Sequence, residues 1–196
     1  LFNLIKNQID FVKNQRLYVL DFWGGGLFVD YILDHLGDVK NHYKLVLYEI
    51  DSNPKLFPAL KDYANRKNQT CLVKNQQANV LPFCGSLARF VLQSTVKNQL
   101  VFDLIWLDYC GTVKGADIQE DLKAIKQLCN QDTIIAATFF RQKDGLIDKN
   151  TRMTALDLLV GKQLPLYSKN KEFEYFENGS AMGTYVYRIP SKRKSL

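Results

Sequence analysis

Apolar runs bounded by turn signals alternate along the chain with segments whose hydrophobic positions recur at helical spacing. "RLYVLDFW" (16–23) reads as a buried strand, and "LFVDYILDHL" (27–36) follows with Phe28, Tyr31, Ile32 and Leu36 at helix period. "KLVLYEI" (44–50) reads as a second strand, leading to a helix that opens at Pro54 and carries Leu56, Leu60 and Tyr63 on one face. A weaker third strand is predicted at "TCLVK" (70–74), with a short helix over 85–94. "VFDLIWLD" (101–108) is a strong fourth strand, "ADIQEDLKAIKQLC" (116–129) an amphipathic helix, and "DTIIAATFF" (132–140) a fifth strand. "TRMTALDLLVG" (151–161) reads as a helix closed by Gly161. After residue 170, two β-rich arms flank "ENGS", the pattern of a hairpin with an asparagine–glycine turn.

Strand and helix in alternation imply an α/β fold, a doubly wound and mostly parallel sheet, here with a C-terminal antiparallel hairpin. No linker divides the chain, so residues 1–190 read as one domain and residues 191–196 as a basic tail. In such sheets ligands bind beyond the carboxyl ends of the strands, where the strand order reverses. The loops to watch are therefore 21–27, 49–54, 75–80, 108–113 and 139–143.

Composition sharpens this picture in three ways. At 196 residues with 46% hydrophobic content the chain can bury a sizeable core, yet no stretch nears the roughly 20 apolar residues of a membrane span. Lys6 and Asp10 interrupt the apolar pattern at the start, which does not read as a signal peptide. Cys71, Cys84, Cys110 and Cys129 share no metal-like spacing; reduced thiols in a cytoplasmic or nuclear setting are the expectation, with no metal site. The net charge of +6, three units of it from Lys192, Arg193 and Lys194, favours a nucleic acid as partner and is equally the mark of a solvated lysine-rich surface. The tripeptide KNQ occurs five times at irregular gaps, which excludes a solenoid repeat.

The first loop holds three consecutive glycines, Gly24, Gly25 and Gly26, after a strand that ends in Asp21-Phe22-Trp23. Glycines there let backbone N–H groups approach a ligand at a helix N-terminus, and a bare tight turn would use them too. The dinucleotide fingerprint G-x-G-x-x-G fails after Gly26, which weighs against a nicotinamide dehydrogenase. The second strand ends in "YEIDSNPK", where Asp51, or Glu49 two residues earlier, can accept both hydroxyls of a ribose; helix capping is the plainer role. The fourth strand ends in "WLDYCGT", with Asp108 after a largely apolar run and Tyr109 beside it.

With strand one and its glycine loop, the "IDSNP" acid, the "FDLIWLD" strand and the closing hairpin, the chain resembles the S-adenosylmethionine-dependent methyltransferases of the Rossmann-like class over roughly residues 16–190. Against that family's D-x-G-x-G-x-G, Trp23 and Leu27 stand where glycines are expected, and only Gly25 falls on a consensus glycine. The resemblance implies S-adenosylmethionine as cofactor, with Asp21 and Gly24 to Gly26 near its methionine part. Asp51 or Glu49 would hold the ribose and Asn79 of the third loop would meet the adenine.

It further implies that Asp108 and Tyr109 orient the methyl acceptor. "DYCGT" is similar to the D-P-Y-G-T of transfer-RNA guanine-amine methyltransferases and, less closely, to the longer cysteine-bearing pattern of RNA cytosine carbon-5 enzymes. Cys110 as a nucleophile would need thiolate character; as a small packing residue it needs nothing. Phe139, Phe140 and Arg141 after strand five could frame a base and a phosphate, or simply end the strand. The reading that follows is methyl transfer to RNA or DNA by direct in-line displacement. The rival is an inactive methyltransferase-like subunit of a nucleic-acid complex, in which Trp23 or Leu27 would fill the cofactor site; a protein partner is compatible with either.

Overall fold

A computed structural model of the chain describes residues 16–23, 27–36, 44–74, 78–98, 100–109, 116–140, 146–148, 153–177 and 180–189. Its centre is a seven-stranded sheet built from β1 (Arg16–Phe22), β2 (Lys44–Asp51), β3 (Ala78–Cys84), β4 (Leu104–Asp108), β5 (Ile134–Phe140), β8 (Ser168–Glu177) and β9 (Ser180–Arg188). The spatial order is β3-β2-β1-β4-β5-β9-β8. The first five strands are mutually parallel; β9 runs antiparallel to both β5 and β8. Short strands β6 (Leu146–Asp148) and β7 (Met153–Thr154) pair separately. The helices are α1 (Leu27–Leu36), α2 (Phe57–Val73), α3 (Leu87–Asn98), α4 (Ala116–Ile125) and α5 (Ala155–Gln163). The doubly wound sheet with its closing hairpin is as the pattern predicts. None of the described helices is long and apolar enough to cross a membrane.

Strand alternation sends successive side chains to opposite faces, and each face has its own helices. Leu17, Val19, Leu45, Leu47, Val80 and Leu104 pack with Val29, Ile32 and Leu33 of α1 and Tyr63, Ala64 and Cys71 of α2. Leu20, Ile50, Ile105 and Leu107 pack on the other side against Leu87, Phe90 and Val91 of α3, Ile118 and Leu122 of α4, and Leu156 and Val160 of α5. Being covered on both faces, the central strands read as near-continuous apolar runs.

The third strand is the main correction. Residues 70–73 close α2, because Cys71 continues the buried face set by Leu60, Tyr63 and Ala64. The strand lies at 78–84 instead, despite Pro82 inside it. It is an edge strand, where a missing N–H costs no ladder bond. Asn68 of α2 covers that edge: its amide accepts from Val80 N (2.7 Å) and donates to Val80 O (3.0 Å).

The last helix also starts later than expected. Thr154 caps α5 with its side chain accepting from Asp157 N, while the Asp157 carboxylate accepts from Thr154 N. That capping box fixes the start, so Gly161 falls inside the helix rather than closing it.

Candidate functional site

The carboxyl ends of β1, β2, β3 and β4 enclose a cleft of about 620 Å³, within the size range of small-molecule sites. It straddles β1 and β4, which is where the strand order reverses. Phe22 and Trp23 supply one wall, Asp51 and Ser52 a second, and Gly85, Ser86 and the first turn of α3 a third. Asp108, Tyr109 and the α4 residues Glu120 and Asp121 complete it.

Each wall is held by backbone or capping bonds. Trp23 N donates to Ile50 O (3.0 Å), tying the tip of β1 to β2. The Asp51 carboxylate accepts from Asn53 N (2.7 Å) and Asn53 in turn accepts from Lys55 N (3.0 Å), which turns the chain toward α2. Gly85 N donates to Asp51 O (2.9 Å), clamping the β2 and β3 tips together. Gly85 sits at φ +150°, and a Cβ there would stand 3.0 Å from the Phe83 ring. Ser86 caps α3 by accepting from Arg89 N (3.3 Å).

Tyr109 is locked from several directions. Its ring stacks on Phe139 at 4.9 Å and 18°, and meets Phe22 edge to face at 5.3 Å. Its hydroxyl donates to Asp121 Oδ2 (2.7 Å), and its backbone N to Thr138 O (3.1 Å). One ring face is thus taken by Phe139, which is itself buried in the core as a strand residue. Tyr109 so held contributes to the lining of the cleft.

Asp21 and Glu49 lie one layer behind the cleft. They are register partners on β1 and β2 and both are buried, at 2% and 0% exposure. Asp21 Oδ1 and both Glu49 carboxyl oxygens have no hydrogen-bond partner among the described residues. Burial raises the Asp21 carboxyl well above its usual range, with Glu49 and then Asp108 adding repulsion and the Phe22 backbone N–H opposing. Burial, then Asp30, pushes Glu49 up to about 8.

The structure brings Asp51, Asp108 and Tyr109 together in one cleft, with Asp21 and Glu49 beneath it. Gly24, Gly25 and Gly26 lie outside the described residues, as do Cys110 and Arg141. Asn79 is displaced: it sits near the amino end of β3, opposite Val46, and is exposed at the far end of the sheet from the cleft. Because the third strand runs over 78–84 and not 70–74, the loop at its carboxyl end is formed by Gly85 and Ser86. The signal was "VLPFCGS", an apolar run ending in a glycine–serine turn, masked by its proline. Tyr167, Tyr185 and Tyr187 are buried core residues of the hairpin region. Glu120 and Asp121 carry no local signal, since only the packing of α4 brings them to the strand tips.

No protein-family model and no curated protein sequence matches the chain. Solved structures do. TrmK of M. capricolum, in complex with its natural cofactor product S-adenosyl-homocysteine, superposes with a TM-score of 0.59 over 95% of this chain, at 17% identity. The B. subtilis M1A22 tRNA methyltransferase TrmK gives 0.52 over 95%, at 14% identity. This chain spans 66% and 65% of the lengths of those two proteins. An rRNA methylase from Streptococcus thermophilus gives 0.59 over 95% of this chain and 92% of its own, at 10% identity. At these identities the likeness is one of architecture: the chain has the Rossmann-like fold of the S-adenosylmethionine-dependent methyltransferases.

Proposed function

We propose that the chain is an S-adenosylmethionine-dependent methyltransferase acting on RNA. The observation that carries this reading is the charge of the cleft. Asp51, Asp108, Glu120 and Asp121 line it, and no lysine or arginine does among the described residues. Such a lining repels the pyrophosphate of a dinucleotide and suits a ligand with a sulfonium and an ammonium group. The orphaned oxygens of Asp21 and Glu49 fit the same ligand, because buried acceptors without donors are costly unless something supplies them.

In this reading Asp51, facing the cleft, is the acceptor for the ribose hydroxyls, with Glu49 behind it as the alternative. Asp21, Trp23 and the glycine loop 24–26 flank the methionine end, and Gly85 and Ser86 replace Asn79 beside the adenine. When bound, the cofactor supplies a methyl group on a positively charged sulfur. The protein's part is orientation: Asp108 accepts a hydrogen bond from the acceptor amine so that its lone pair faces the methyl, and Tyr109, held by Asp121, fixes the acceptor's approach. An acidic cleft admits a base and keeps phosphates outside, where exposed Lys55 and Arg89 flank the β2 and β3 tips. The RNA substrate is supported by that arrangement, by the net charge of +6, and by the tRNA and rRNA methylating neighbours.

An inactive subunit would have Trp23 or Leu27 plugging the cleft, and the Leu27 side chain lies outside what the structure describes. Trp23 instead forms part of the wall of an open cleft that reaches Asp108, and this favours the enzyme. Titration calorimetry with S-adenosylmethionine, followed by labelled-methyl transfer to unmodified tRNA and rRNA transcripts, tests the proposal. Binding and transfer that Asp108→Asn abolishes support it. No binding at millimolar cofactor refutes it.

A further inference from the structure

Asp21 and Glu49 form a pair of carboxyls side by side on adjacent strands, both buried, with three oxygens lacking partners. The charged and titratable groups facing them come from three elements. Asp108 approaches Asp21 from β4, Asp30 approaches Glu49 from α1, and Tyr63 and Lys67 stand on α2. Lys67 is ion-paired with Asp30, and Tyr63 donates its hydroxyl to Asp30 at 2.8 Å. The β3 register partner of Glu49 is Pro82, which offers no polar side chain. Among the described residues, then, Asp21 Oδ1 and both Glu49 oxygens accept no hydrogen bond, and two ionised carboxylates there would repel each other in a dry site. The pair therefore keeps a proton in the free protein, as the upward displacement of both groups indicates.

We propose that this proton leaves when a sulfonium ligand enters the cleft, so that the Asp21–Glu49 pair selects the charged cofactor over its neutral-sulfur product. The proposal rests on the cleft being the cofactor site. Phe22 and Trp23, the two residues after Asp21, line the cleft, and so does Asp108, whose charge already acts on Asp21. A positive charge placed there stabilises the ionised pair, while a thioether in the same place brings one positive charge less. Binding and ionisation are reciprocal: a ligand that expels a proton binds more tightly as pH rises. The effect runs up to about pH 8, where Glu49 ionises unaided. Loss of the sulfonium charge on transfer would let the pair take a proton back and loosen the product.

Calorimetric titration of the full chain in buffers of different ionisation enthalpy counts the protons directly. At neutral pH, S-adenosylmethionine should release about one proton, because a group titrating one unit higher is mostly protonated, and S-adenosyl-homocysteine distinctly less. Cofactor affinity should rise by up to about tenfold per pH unit below that point, and by less for the product. Glu49→Gln should remove the release and flatten the pH dependence of the preference; Asp21→Asn is the second variant. Cofactor binding with no dependence on buffer overturns the proton linkage, and equal release by both ligands overturns the selectivity. If neither ligand binds the wild-type chain, the reading of the cleft falls and this one with it.

Discussion

Replacing Glu49 by Gln keeps the shape of the side chain and removes its titration. In the unfolded chain this carboxyl loses its proton near 4.5; in the folded protein it holds it to about 8. Between those values the native state binds more protons than the unfolded state, so stability falls as pH rises, by up to about 1.4 kcal/mol per unit for one group. The benefit of the protonated native form is fully present below the unfolded value and is lost by the time pH passes the folded one. Over the whole window the loss amounts to roughly 4 to 5 kcal/mol at most, with Asp21 acting in the same direction. Urea denaturation of wild type and Glu49→Gln at successive pH values from about 5 to 9 reads the difference. The amide has its own burial cost, which does not vary with pH, so the diagnostic is the slope. The variant should gain on the wild type by about 1 kcal/mol per unit until pH 8 and then run level. Parallel curves would show that Glu49 ionises normally in the folded protein and would refute the reasoning.

Two further outcomes follow from the packing. Gly85→Ala should cost about 1–2 kcal/mol and weaken cofactor binding, since its Cβ meets the Phe83 ring at 3.0 Å and Arg89 at 3.2 Å in an unfavourable backbone region. Gly161→Ala, facing open space within α5, should instead stabilise by up to about 1 kcal/mol; thermal melts and calorimetry compare the two. Asp157→Ala should cost about 3–5 kcal/mol by urea denaturation, because its carboxylate serves Thr154 N (2.6 Å), Lys169 Nζ (2.9 Å) and the buried Tyr187 hydroxyl (2.8 Å). Tyr187→Phe, losing one of those bonds, should cost about half as much.

The order of elements was legible along the chain because its signals are local. Alternation, helical period and turn residues at 16–36, 44–50, 104–108, 134–140 and in the hairpin need no knowledge of neighbours. They imply the parallel sheet, and the sheet implies that Asp51, Asp108 and Tyr109 gather at one end of it. The third strand was not legible. Its proline is tolerable only at an edge, and its free side is bonded at Val80 by Asn68, twelve residues upstream in α2. Asn79 went astray with it, and Gly85 and Ser86 went unseen. Glu120 and Asp121 enter the cleft through helix packing, and Glu49 becomes a weak acid because the fold buries it and brings Asp30 of α1 near it. Apart from the third strand and the start of the last helix, sequence determined which segments are strands and helices, since backbone preference and hydrophobic period act over a few residues. The tertiary structure alone decided which carboxyls share a cleft and which must hold a proton, since desolvation and Coulomb repulsion depend on distances across elements that no local pattern encodes.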